Sequence, residues 1–143
     1  MGQARLAWLG KADLVSGEDE TAVVAAMREM YAAAQAKDRS RAEAVLAPGF
    51  HAFDLGGRFD GMALFDLIWD AMAAGRTFTW TVMDATVEVA GDLAWIAYVN
   101  RGAVGSGSAS EPVTWLESAV LQREDRRWRI RFFHSTRAAG APT

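Results

Sequence analysis

Glu111-Pro-Val-Thr-Trp-Leu-Glu-Ser-Ala-Val-Leu-Gln122 and Arg127-Trp-Arg-Ile-Arg-Phe-Phe-His-Ser-Thr-Arg137 flank a polar turn centred on Asp125-Arg126. Both arms alternate apolar and polar residues, the period-two pattern of strands with one buried face, so the stretch reads as one long β-hairpin. A symmetric turn sets Leu121 opposite Ile130, Ala119 opposite Phe132 and Glu117 opposite His134, because directly paired residues share a face. A slip of one residue would set Leu121 against Arg129 and Ala119 against Arg131, mixing charge into the apolar face. This register places an acid beside an imidazole, with Trp115, Trp128, Ile130 and Phe132 around them: the makings of a pocket.

Upstream of the hairpin the chain extends the same sheet and then changes period. Thr77 to Val89 is rich in Thr and Val, and Asp92 to Ala103 follows after Gly91; Gly105 to Ser110 reads as a flexible connection. Before them, Gly61 to Ala74 carries Leu64, Phe65, Leu67, Ile68, Trp69 and Met72 and reads as an apolar helix ended by Gly75. Phe50 to Asp54 is a short strand turned by Gly56-Gly57. Ser40-Arg-Ala-Glu43 has the form of a capping box for a short helix ending at Ala47, before Pro48-Gly49. Glu18 to Lys37, with Val23, Met27, Met30, Tyr31 and Ala34 at helical spacing, is an amphipathic helix.

Helix, helix, strand, helix and then four long antiparallel strands define an α+β fold. A curved antiparallel sheet forms a cone with the helices packed on its concave face. The hairpin, then Trp95, Ala97 and Val99, then Phe78, Trp80 and Val82 are expected to line it. Residues 18–137 form one domain, with 1–17 an extension ahead of it and 138–143 a tail.

Composition narrows the function. The 143 residues include no Cys and carry a formal charge of −3, which points to neither a thiolate site nor a nucleic-acid surface. The basic cluster Arg126, Arg127, Arg129 and Arg131 sits beside Glu124 and Asp125 and reads as a solvated or subunit-facing surface. No stretch approaches the roughly 18 apolar residues of a membrane span, and Met1 to Gly17 lacks a signal-peptide core, so a cytoplasmic protein is expected. Asp54, Glu117 and His134 have no metal-type local spacing, Gly102 to Gly107 is no phosphate loop, and neither metal nor cofactor is expected.

The element order, together with the close Trp128-Arg-Ile-Arg-Phe-Phe-His-Ser135, resembles the nuclear transport factor 2-like superfamily, in particular its SnoaL-like and ketosteroid-isomerase-like branches. The resemblance covers about residues 18–137. It implies a cystatin-like cone fold and a homodimer through the outer sheet face, where Leu116, Val120 and Phe133 lie among arginines. Carried onto this chain, the isomerase pattern implies Tyr31 and Glu117 as oxygen-binding donors and Asp54 as the base. Leu55 stands where the isomerases have Pro, and Glu117 where they have Asp. His134 has no counterpart in that catalytic set, though a histidine there is common in SnoaL-like relatives.

Proton removal beside a carbonyl needs a base at carbon and donors at oxygen. Asp54 would shuttle the proton, and Tyr31 with a protonated Glu117 would hold the enolate oxygen; an imidazolium at His134 would instead keep Glu117 ionised as a Glu-His dyad suited to general base work. Catalytic candidates are therefore Tyr31, Asp54, Glu117 and His134, and binding candidates Trp80, Trp95, Val99, Trp115, Trp128 and Phe132. His51 alternates away from the cavity. Three readings stay open: a cofactor-independent isomerase, cyclase or dehydratase acting on a small hydrophobic carbonyl compound, a binding module for such a ligand without chemistry, and an assembly domain with a filled cone.

Overall fold

The computed structural model describes residues 2–139, with side chains from 17 onward. Helix α1 (Gly2–Ala36) is followed by α2 (Arg39–Val45), β1 (Leu46–Asp54), β2 (Gly57–Asp60), α3 (Ala63–Ala73), β3 (Arg76–Thr79), β4 (Val82–Ala90), β5 (Leu93–Ser106), β6 (Ala109–Glu124) and β7 (Arg127–Arg137). The seven strands make one mixed sheet in the order β2-β1-β7-β6-β5-β3, with β4 also on β5. Pairing is antiparallel except between β1 and β7, which run parallel. The α+β cone with helices over its inner face is therefore present, with one parallel pair that strand order alone did not reveal.

Local chemistry explains most boundaries. The first helix runs ahead of its expected start at Glu18, since Gly17 is tolerated inside a helix at a cost of ~1 kcal/mol. Its buried face is Val23, Met27, Met30 and Ala34, and Tyr31 stands one turn beyond Met27. The cap of α2 is Asp38, whose carboxylate accepts from the Arg41 N–H at 3.1 Å, and not Ser40. The single strand expected over Thr77 to Val89 is two, β3 and β4, broken at Trp80-Thr81. The segment Gly105 to Ser110 is no flexible connection; β5 and β6 run into it and turn tightly at Gly107 (φ +62°).

The terminal hairpin departs from its expected register at one residue. Asp125 and Arg126 both take positive φ, as a two-residue hairpin turn requires, and Leu121 faces Ile130. Next, however, Val120 pairs with Phe132, so Arg131 is an extra residue, a β-bulge. From there on every side chain of β7 is transferred to the opposite face: Ala119 meets Phe133, and Glu117 meets Ser135. Leu121, Ile130, Ile96 and Met27, all fully buried, form the floor of the core, each contributing ~1.5–3 kcal/mol.

Candidate functional site

Glu117 is the inward carboxylate of β6, 6% exposed, and three donors meet it. Ser135 Oγ donates to Oε2 at 2.7 Å, Asn100 Nδ2 donates to Oε1 at 3.1 Å, and the Tyr31 hydroxyl donates to Oε1. Tyr31 also shares a 2.7 Å hydrogen bond with the Tyr98 hydroxyl. Register explains the convergence: Tyr98 lies directly across from Glu117 on β5, and Ser135 directly across on β7. Asn100, fully buried, also accepts from the Thr81 N–H at 3.0 Å, so it satisfies the backbone at the β3/β4 break while holding the acid.

Burial raises the Glu117 pKa above the ordinary glutamate range, opposed by the hydroxyl and amide donors around it. Burial first, then the neighbouring Tyr98 and Glu117, raise Tyr31 well above its usual value, so its phenol stays a proton donor. The linkage sign follows. Folding takes up a proton at Glu117 between the ordinary value of ~4.3 and the raised one, so the contribution to stability is fully present below ~4.3 and lost as pH rises through the raised value. Glu117→Gln is expected to remove that loss. Thermal melts from pH 4 to 8 should show the parent losing stability relative to the variant as pH rises; parallel curves would contradict it.

Above this network lies an apolar cavity of about 350 Å³. Tyr31, Glu117 and Ser135 occupy one wall, while Phe78 and Trp80, stacked at 5.5 Å and 13°, occupy another. Trp115 also lines it, and Trp80 leans on Tyr31 with ring centroids 5.5 Å apart. Asp54 borders the cavity where β1 ends. Its Oδ1 accepts from the Leu55 N–H at 2.8 Å, with Leu55 in the left-handed region at φ +52°. Burial raises the Asp54 pKa, opposed by that N–H and by His134.

Of the residues singled out from sequence, Tyr31, Asp54, Glu117, Trp80 and Trp115 thus share this cavity. Five do not line it. His134 and Phe132 lie beyond the bulge on the outer face, so the Glu117-His134 dyad is replaced by a Glu117-Ser135 pair. Trp95 (46% exposed) and Val99 turn outward because Ala94, Ile96, Tyr98 and Asn100 take the inner face of β5. Trp128 seals the other end of the cone, its Nε1 donating to Asp19 at 3.3 Å and its ring under Arg123 at 4.9 Å. Phe133, expected outside, is buried. Tyr98, Asn100 and Ser135 were missed, and the signal that could have found them is their shared parity on the strands flanking Glu117.

Among the described residues no group of three His, Asp or Glu could hold a metal ion, and no helix is long and apolar enough to cross a membrane. The family model for a SnoaL-like domain matches residues 23–139. The chain belongs to the SnoaL-like domain family. This SnoaL-like chain has the nuclear transport factor 2-like fold, as solved structures agree. One is described as a candidate dehydratase of the nuclear transport factor 2-like family from Streptomyces avermitilis: 17% identity, 87% of this chain and 99% of that one, TM-score 0.75. A second, described as a candidate ketosteroid isomerase from Shewanella frigidimarina, has 20% identity over 78% of this chain and 91% of that one, TM-score 0.63. The CaMKII hub of S. rosetta has 19% identity over 82% of this chain and 95% of that one, TM-score 0.69. At such identities the likeness is one of fold, and it spans enzymes and assembly domains alike. No curated protein matches the chain.

Proposed function

We propose that this SnoaL-like protein is a cofactor-independent enzyme that moves a proton on a small, largely apolar carbonyl compound held in the cone. The observation that carries it is the convergence of Asp54 with the Tyr31-Glu117 pair on one apolar cavity. The ionised Asp54 takes a proton from the carbon next to the carbonyl; the C–H electron pair moves into the new carbon–carbon double bond, and charge collects on oxygen. With ligand bound, the Tyr31 hydroxyl turns its single proton from Glu117 Oε1 to that oxygen while accepting from Tyr98, and a protonated Glu117 donates to the same oxygen. Returned by Asp54 to a conjugated carbon, the proton completes an isomerisation, and returned to the same carbon it gives exchange alone. Where a leaving group stands on the next carbon, the enolate electrons expel it and Asp54 gives the proton to the departing group, an elimination.

The cavity suits this. Its volume lies at the lower end of the ~300–1,000 Å³ typical of small-molecule sites, and its aromatic wall fits a flat ring. The first test is solvent deuterium exchange into a panel of cyclic enones, followed by NMR, because exchange reports enolisation whatever the final product. Exchange on any member that disappears in Asp54→Asn supports the proposal. Saturable binding with no exchange in the parent would make the cone a binding module.

A second reading concerns assembly and is compatible with the first. On the outer face, Phe53, His134 and Ser118 form one cross-strand row, and His51, Phe132, Val120 and Trp95 another. His51 and Phe53 both pack on Phe132, at 4.9 and 5.1 Å between ring centroids, while Leu116 and Trp95 are about half exposed. An apolar surface of this extent usually marks an interface. We infer a homodimer through this face. Trp95→Glu combined with Leu116→Arg is expected to shift the molecule from dimer to monomer in light scattering without unfolding it; an unchanged mass would exclude this surface.

A further inference from the structure

The inward rows of the two strands that reach the cavity mouth end in the same way. On β7 the row runs Phe133, Ser135, Arg137; on β3 and just beyond it runs Trp80, Phe78, Arg76, read from the interior outward. Arg76 and Arg137 both line the cavity, and Arg137 lies across from Trp115 at its rim. Neither makes an ion pair or side-chain hydrogen bond with another described residue. The contrast with their neighbours is informative. Arg58, on the groove just outside, is held by Asp60 at 3.0 Å, and Arg39, at the foot of α3, by Asp66 at 2.9 Å. Asp54 borders both the cavity and that groove yet lies beyond ion-pair distance of either arginine. Among the described residues, two guanidinium groups against one carboxylate leave the mouth net positive, while the interior behind it is apolar and aromatic.

We propose that the ligand of this cavity carries a carboxylate, bound at the mouth by Arg76 and Arg137, on an apolar ring that lies between Trp80 and Trp115. Guanidinium forks match a carboxylate in two-point hydrogen bonds, and they leave the ring free to enter the unpolar interior. The strand rise places the Cα of Arg137 about 7 Å outward from that of Ser135, beside Glu117, so the anionic group and the oxygen of the carbonyl sit at opposite ends of a compact molecule. The substrate class is then a cyclic keto acid or enone acid. This rests on the cavity being a ligand site, as proposed above, and stands independently of the proton-transfer step.

Binding of naphthaleneacetate and of its primary amide, followed by quenching of the cavity tryptophans, separates the two. The parent is expected to bind the acid ~10-fold tighter than the amide, with the acid alone weakened by added salt. Arg76→Gln and Arg137→Gln should each weaken the acid ~3–10-fold and leave the amide unchanged, and the double variant should bind both equally. Both side chains are exposed, so folding is not at stake, and unchanged amide binding verifies this. Equal affinity for acid and amide in the parent, or a preference that survives in the double variant, overturns the carboxylate subsite and leaves the cavity reading standing. Absence of saturable binding by either probe overturns both. Loss of deuterium exchange, by contrast, bears only on the chemistry.

Discussion

Asp54→Asn is expected to lower proton exchange on an accepted substrate by ~10²–10⁴-fold, the usual share of a general base, while ligand affinity changes less than about threefold. Asn keeps the shape of the side chain and can still accept from the Leu55 N–H, so the turn at φ +52° is preserved and the measured loss belongs to the missing basic oxygen. The carboxylate sits half-buried at the lip of an apolar cavity, where burial lifts its affinity for a proton and so makes it a better base than one in water. The rate should therefore rise with pH as Asp54 deprotonates, and fall again where the donor role of Glu117 is lost. Glu117→Gln supplies the complement: its effect should appear in kcat and leave ground-state affinity nearly unchanged, because the oxygen carries full charge only after the proton has left. Equal exchange rates in parent and Asp54→Asn would remove Asp54 from the mechanism.

Gly102→Ala should be the most damaging single-methyl change in the sheet, at ~3 kcal/mol or more. A Cβ at Gly102 would stand 1.7 Å from the Thr79 carbonyl oxygen and 3.2 Å from the Trp115 ring. The first of these is backbone, which cannot rotate aside, so β3 must lift away from β5. Thr79 pairs with Ala103 there, and next to it the chain carries Phe78 and Trp80. The variant is therefore expected to lose stability in urea titration and also to loosen the stacked aromatic wall, seen as a changed tryptophan near-UV spectrum even where folding persists. A variant as stable as the parent would mean that β3 is free to withdraw.

The two expectations meet in one physical arrangement. The β3/β4 break brings the Thr81 N–H to Asn100, Asn100 holds Glu117, and Glu117 takes the Tyr31 hydroxyl. The close approach at Gly102 keeps β3 at the distance where this succession closes. Stability of the sheet edge and geometry of the Tyr31-Glu117 network are thereby linked, and urea titrations with and without ligand should move together across Gly102 and Asn100 variants.

The sequence by itself determined the three helices, the hairpin turn at Asp125-Arg126, the Leu121-Ile130 pair and the inward placement of Glu117, because helical spacing, period-two alternation and a lone acid on an apolar face are local statements. The SnoaL-like fold came from the family resemblance carried by the element order and the close Trp128 to Ser135. What it left undecided was parity wherever both faces of a strand are apolar. On β7, Phe132 and Phe133 are consecutive, so either can face inward, and only the bulge at Arg131 selects Phe133 and Ser135 over Phe132 and His134. On β5, Trp95, Ala97 and Val99 look as suited to a core as Ala94, Ile96 and Tyr98; the outer set is apolar too, so alternation carries no sign. A bulge arises from how β7 bends against both β1 and β6, a non-local condition no window of residues contains. The tertiary structure alone therefore replaced a Glu-His pair with a Tyr-Tyr-Glu-Asn-Ser network and brought to the mouth above it two arginines that no described residue pairs.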